Sequence, residues 1–164
     1  MPRHTTCVTQ VSTALSAAVR CANSRQQQRS ADATHHSSIT DPRVHTLFHR
    51  AAGPKLPVAD FVQRLKSYFS PDDAVLRAAA VYCRRASQRD DAFLTEANMN
   101  RVFFAAFLVA EKFLDDHAKP LQEYADGALF SLHDTAALEM AMLHVLDFNA
   151  FVDPREDAAI QGAK

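Results

Sequence analysis

An all-helical domain is the fold that this sequence predicts, and three observations carry the prediction. Only 3 of 164 residues are glycine, so the left-handed turns of hairpins, Gly-rich phosphate loops and dinucleotide-binding fingerprints are nearly excluded. From residue 41 onward apolar side chains recur at three-four spacing between proline- and aspartate-marked starts, which is helical punctuation. The run Val102 to Ala110 is apolar on every helical face; such a helix in a soluble protein must be wrapped by others.

The remaining composition narrows the function. Lys and Arg number 18 against 19 Asp and Glu, a net charge of −1, so there is no cationic footprint for nucleic acid or an anionic membrane surface. Cys7, Cys21 and Cys83 are odd in number and form no CxxC pair, which predicts no disulfide framework and an intracellular address. The longest apolar run is far shorter than the ~20 residues of a membrane span, so no membrane partner is expected.

Residues 1–40 read as a disordered tail. The stretch 1–31 holds four Arg, no acidic residue and many Ser, Thr and Gln, too little apolar surface to offset the entropy of ordering it. The alternative is an organellar transit peptide, whose weak helical stripe would be Val8, Val11, Leu15, Ala18 and Val19. Asp41 and Pro42 then start a short leading helix with Val44, Leu47, Phe48 and Ala51 on one face, ended by Gly53-Pro54. The first core helix carries Val58, Phe61, Val62, Leu65 and Phe69 on a single stripe. Ser70-Pro71-Asp72-Asp73 supplies a cap, a first-turn proline and two carboxylates for a second, running to about Ser87. The third starts with Thr95 as cap, runs to about Leu114 and is the buried hub. A single turn is expected around Tyr124. Ser131 and Asp134 form a capping box for the fourth, through Leu138, Met142, Val145 and Leu146. A short fifth helix begins at Asp153-Pro154.

At the third and fourth helices the sequence becomes specific. Residues 101–116, RVFFAAFLVAEKFLDD, resemble the cyclin-box segment in which a buried helix ends in Ala-x-Lys-Phe followed by acidic residues. Residues 138–148, LEMAMLHVLDF, resemble the later segment in which Leu-Glu precedes a run ending in Leu-x-Phe. With PVADFVQRLKSYF, AAAVYCRRA and the Thr-x-x-Asn before the third helix, the chain looks like the phosphate-pathway type of cyclin, the group that includes plant U- and P-type cyclins. The resemblance covers residues 56–154. It implies a single cyclin box over residues 41–160, a five-helix bundle around the third helix with a short fifth.

The function implied is that of a catalytically inert subunit that forms a heterodimer with a cyclin-dependent protein kinase and docks on the kinase's helix C. The family's conserved Lys and Glu at that surface fall on Lys112 and Glu139, and its aromatic falls on Phe148. Val109, one turn before Lys112, is a further candidate. Glu111 stands where the family commonly has a small residue, adding a negative charge at the expected kinase face. Arg84 replaces the Asp that many cyclins carry before the Arg at the end of the second helix, so the buried pair built on that Asp is absent or replaced. The Gly-rich turn before the fourth helix survives as Gly127-Ala128. Taken singly, Lys112 is a cation in the last turn of a helix, where the dipole favours it; the joint match of two spaced signatures points to docking.

Other constellations carry less. His45 and His49 are four apart, the spacing of a helical metal pair, but no third ligand stands nearby. Asp115-Asp116-His117 reads as a helix terminus, and no nucleophile elbow organises a catalytic triad. No cofactor, metal site or catalytic residue is expected. The expected location is the cytoplasm or nucleus, with organellar import as the alternative.

Overall fold

A computed structural model describes residues 6–29, 41–50 and 53–163. Eight helices and no strand occur among them: α1 (Cys7–Arg29), α2 (Pro42–Phe48), α3 (Val58–Phe69), α4 (Asp73–Arg89), α5 (Met99–Leu114), α6 (Leu121–Ala128), α7 (Leu132–Val145) and α8 (Pro154–Gln161). The all-α bundle around a central helix is as expected. α5 is the hub: every residue from Met99 to Glu111 except Asn100 is buried. It packs on α4, α7 and α3, while α1 covers α4, α3 and α8.

Local chemistry explains the ends. Asp41 accepts the Arg43 N–H at 2.8 Å, with Pro42 at the first helical position of α2. Ser70 does not cap α4; it closes α3 with φ 50°, and Asp72 takes the N-cap of α4. α5 starts at Met99 rather than at Thr95, because Thr95 and Asn98 satisfy each other. The Thr95 N–H donates to Asn98 Oδ1 at 2.8 Å and the Asn98 N–H to Thr95 Oγ1 at 3.3 Å, which closes a turn ahead of the helix. The single turn expected near Tyr124 is the eight-residue helix α6. Gly127 lies inside α6, not in the turn after it. Its carbonyl accepts from Arg64 Nε at 2.8 Å, and any Cβ there would collide with the Phe69 ring on α3. The turn itself falls on Leu129, with φ 62°. Ser131 accepts the Asp134 N–H, and Asp153 with Glu156 forms the full capping box of α8.

The largest departure from the sequence expectation is at the N-terminus. Residues 7–29 are not a disordered tail but a 23-residue helix, with Cys7, Val8, Val11, Leu15, Ala18, Val19 and Ala22 buried. The stripe is weak because its side chains are small, yet small side chains let α1 approach the alanine-rich α4 closely. The polar end is tied as well: Arg25 reaches Asp91 Oδ1 at 2.6 Å and the Ser87 carbonyl at 3.0 Å. Residues 1–5, 30–40, 51, 52 and 164 lie outside the described residues, and with them Ala51 of the expected leading helix.

α2 is held by two histidines. His45 Nε2 lies 2.7 Å from Asp90 Oδ2, and the His49 ring stacks on His45 at 5.7 Å. Asn98 accepts the Thr95 N–H through Oδ1 and donates to the Phe93 carbonyl through Nδ2, so the amide orientation is set. The same Nδ2 faces His49 Nδ1 at 3.4 Å, which makes that nitrogen an acceptor and favours the neutral ring. Burial first, and His45 second, hold the His49 pKa below its ordinary value.

Two predictions follow from this packing. Leu15→Ala should cost about 2–5 kcal/mol, the range for a buried leucine, while exposed Arg20→Ala should change stability by less than ~0.5 kcal/mol; denaturant unfolding reads both. Because His49 has a depressed folded-state pKa, the unfolded chain binds its proton more readily, and stability is lost as pH falls through the ordinary histidine value of about 6.5. The thermal midpoint of the wild type should therefore fall more between pH 7 and 5 than that of His49→Gln.

Candidate functional site

The site is built where the hub helix leaves the core. Lys112 lies in the last turn of α5 and Glu139 in the middle of α7, and the fold brings these residues, 27 apart in sequence, into an ion pair with Nζ 2.7 Å from Oε1. Their side chains are 30% and 21% exposed, so the pair lies at the surface with water on one side. The Lys112 ammonium is also 6.0 Å over the ring of Tyr124, a fully buried residue of α6. Burial, and then the nearby Glu111 carboxylate, push the Tyr124 hydroxyl well above its ordinary range. Exposed apolar side chains adjoin the pair in sequence: Phe113 and Leu114 follow Lys112, and Met140 follows Glu139.

Two of the candidates are turned inward. Val109 is 4% exposed and Glu111 is 1% exposed, so neither adds to the surface that Lys112 and Glu139 share. Val109 is part of the hub, which is covered on all sides until its last turn. Glu111 precedes Lys112 by one residue, about 100° round the helix, and faces the loop before α6. There Lys119 Nζ meets its Oε1 at 2.6 Å. That ammonium also sits 5.8 Å over the Phe69 ring and 5.9 Å over the Tyr124 ring. The negative charge expected at the surface is thus consumed within the fold.

Phe148, the aromatic candidate, lies at the surface. It follows α7, is 60% exposed and takes a positive φ of 56°, directly after Asp147 at 55°. Left-handed backbone costs a residue with a Cβ about 1–2 kcal/mol, and the turn is secured by the Phe148 N–H, which donates to the Leu143 carbonyl at 2.9 Å. Its ring stands edge-on to His144 at 5.1 Å. The sequence reading passed over Phe151, which is 64% exposed. It stands directly before the Val152-Asp153-Pro154 start of α8, outside any helical period, and that position was the available signal that the ring is not core.

The pair expected at the end of α4 is replaced. Arg85 forms a two-pronged pair with Glu156 of α8, Nε to Oε1 at 2.9 Å and Nη2 to Oε2 at 2.6 Å. This bond holds the Glu156 carboxyl below the usual range. The His45–His49 pair gathers no third ligand: no group of three or more His, Cys, Asp or Glu is placed to hold a metal among the described residues. No helix among them is long and apolar enough to cross a membrane.

Comparison with known proteins agrees with this architecture. The family model described as Cyclin matches residues 5–150, so it includes α1. Cyclin-P3-1 of Oryza sativa subsp. japonica is 27% identical over 129 residues, 79% of this chain and 54% of the relative. Cyclin-U3-1 of Arabidopsis thaliana is 25% identical over 117 residues, 71% and 53% respectively, and Cyclin-U1-1 of the same plant 27% over 109 residues, 66% and 52%. The chain spans about half the length of these curated relatives. With a hub helix that carries Lys112 in its last turn, a later helix, α7, that meets it through Glu139, and a family match over most of its length, the chain belongs to the cyclin family, its similarity running to the P- and U-type members.

Proposed function

We propose that this protein is a non-catalytic regulatory subunit that binds a cyclin-dependent protein kinase and activates it by docking on the kinase's helix C. The observation that carries the reading is the Lys112–Glu139 pair, two opposite charges held 2.7 Å apart at the surface by separate helices. Lys112 has three donors and can serve carbonyls at the exposed end of a partner helix, while Glu139 accepts backbone N–H groups. Phe148 adds an exposed aromatic ring, the side-chain type that dominates interface energetics. Activation then needs no chemistry from this chain. The kinase helix must move so that its Glu pairs with the phosphate-binding Lys, and a subunit that contacts only that arrangement shifts the population toward it.

A cyclin-fold adaptor or structural protein without a kinase partner is the competing reading: the short fifth helix, the eight-residue α8, favours it, while the charge of Glu111, buried against Lys119, does not. The same proposal puts the protein in the cytoplasm or nucleus with α1 retained, since cleavage of a leader through this segment would strip seven buried side chains from the core.

The test is affinity capture with the full chain, followed by a phosphoryl-transfer assay. Lys112→Ala or Glu139→Ala should weaken kinase binding by about 1.5–3 kcal/mol, the worth of a hydrogen bond to a charged group. Folding stability should change by only ~0–1 kcal/mol, because the pair is partly solvated. Equal retention of kinase by the wild type and both variants would sink the assignment. Mass spectrometry of the protein from cells should find residues 7–29 present; a mature N-terminus ~20–35 residues in, as a processed targeting segment leaves, would contradict the location.

A further inference from the structure

The segment after α7 is held by one face of another helix. Tyr82, Arg85 and Arg89 are spaced three and four apart on α4, which aligns them in a row. Tyr82 Oη donates to the Ala150 carbonyl at 2.6 Å. Arg85 donates to the Asn149 carbonyl through Nη1 at 3.0 Å and to the Phe151 carbonyl through Nη2 at 2.7 Å. Arg89 Nη1 donates to the Val145 carbonyl at 2.6 Å, and Glu156 of α8 takes Nε and Nη2 of Arg85. Carbonyls 145, 149, 150 and 151 are therefore captured by a single row of side chains. The backbone between them carries two consecutive positive φ values. Besides the exposed Asp147 and Asn149, this hold presents two aromatic rings outward, those of Phe148 and Phe151, both more than half exposed. Rings so exposed on a backbone so tied lose little conformational freedom when a partner covers them.

We propose that the α4 row Tyr82, Arg85 and Arg89 is a positioning element, and that it sets Phe148 and Phe151 as a two-ring contact, with Phe151 a second partner-contacting residue. The inference rests on the docking reading above, and its occupant is the kinase of that reading. The two rings extend the charged pair along α7: from Glu139 to Val145 the helix rises about 9 Å, and Phe148 follows three residues later. Tyr82 fits its part, because burial pushes its hydroxyl up to about 12 and it stays a donor at neutral pH.

The test is a double-mutant cycle in the full chain with the captured kinase. Phe151→Ala and Arg85→Gln should each lower affinity about tenfold, and the double variant should lose clearly less than the product of the two single losses, because part of what Arg85 does acts through the Phe151 ring and the rest through Phe148. Losses that multiply would overturn the positioning role. Unchanged affinity for Phe151→Ala, when Lys112→Ala loses binding, would overturn Phe151 as a contact while leaving the docking reading intact. Phe151 is exposed, so its variant keeps the fold and carries that arm even if Arg85→Gln unfolds. A second measurement needs no kinase: chymotrypsin cleavage after Phe148 and Phe151 in the free protein should quicken about tenfold in Arg85→Gln, as a loosened loop is cut faster, and not in Arg20→Ala. Equal cleavage would overturn the positioning role. Failure of the wild type to capture any kinase would instead overturn the docking reading, and the contact role of Phe151 with it.

Discussion

Nine consecutive residues with no polar side chain, Val102 to Ala110, can occupy a helix in water only if neighbouring helices cover every face of it. That requirement organises the molecule. α3, α4 and α7 supply most of the cover, and the phenylalanines of α5 stack on rings around them, Phe107 against Phe69 of α3 and Phe104 against Phe130 in the connection between α6 and α7. The covering helices inherit the same problem one layer out. The middle of α4, Ala74 to Tyr82, is apolar apart from Arg77 because one side faces the hub and another faces α1, so the N-terminal helix completes a further layer around the same core.

The site is a consequence of where that cover ends. α5 is buried through Glu111 and emerges within one turn: Lys112 is half-buried, and Phe113 and Leu114 are exposed. A lysine at the point of emergence keeps its stem against protein and its ammonium at the surface. It meets Glu139 there because α7 runs alongside the hub. Glu111, one residue earlier, is still inside and has to be neutralised, which Lys119 does between two aromatic rings. A change of one helical position thus separates a charge left at the surface from a charge spent on the fold.

Polar contacts do a different job from the apolar core. The arginines of this protein tie chain segments together through carbonyls and carboxylates: Arg25 joins α1 to the end of α4, Arg64 joins α3 to α6, Arg85 joins α4 to α8 and to the segment before it. Arg101, inside the hub, donates to the Leu47 carbonyl of α2 at 2.7 Å and reaches Asp134 of α7 at 3.1 Å. Planar guanidinium groups suit this role because one side chain can serve several acceptors in fixed directions. They decide the shape of loops that hydrophobic burial alone would leave free.

The core helices α3, α4, α5 and α7, the hub among them, and the two signatures holding Lys112 and Glu139 were legible in the sequence, because each depends on local periodicity, caps or a short motif. Asp41, Ser131 and the Asp153–Glu156 box act where their spacing says they should. What only the tertiary structure decided are the matters that turn on a partner many residues away. The small stripe of α1 gains its energy only from contact with α4, α3 and α8, so from composition it resembles a tail. The inward turn of Val109 and Glu111 depends on how far the cover of α5 reaches. The exposure of Phe148 and Phe151 depends on carbonyls captured by side chains more than fifty positions earlier. Periodicity tells which face of a helix is apolar; it does not tell what that face will meet, and here the meeting placed α1 in the core and the two phenylalanines outside it.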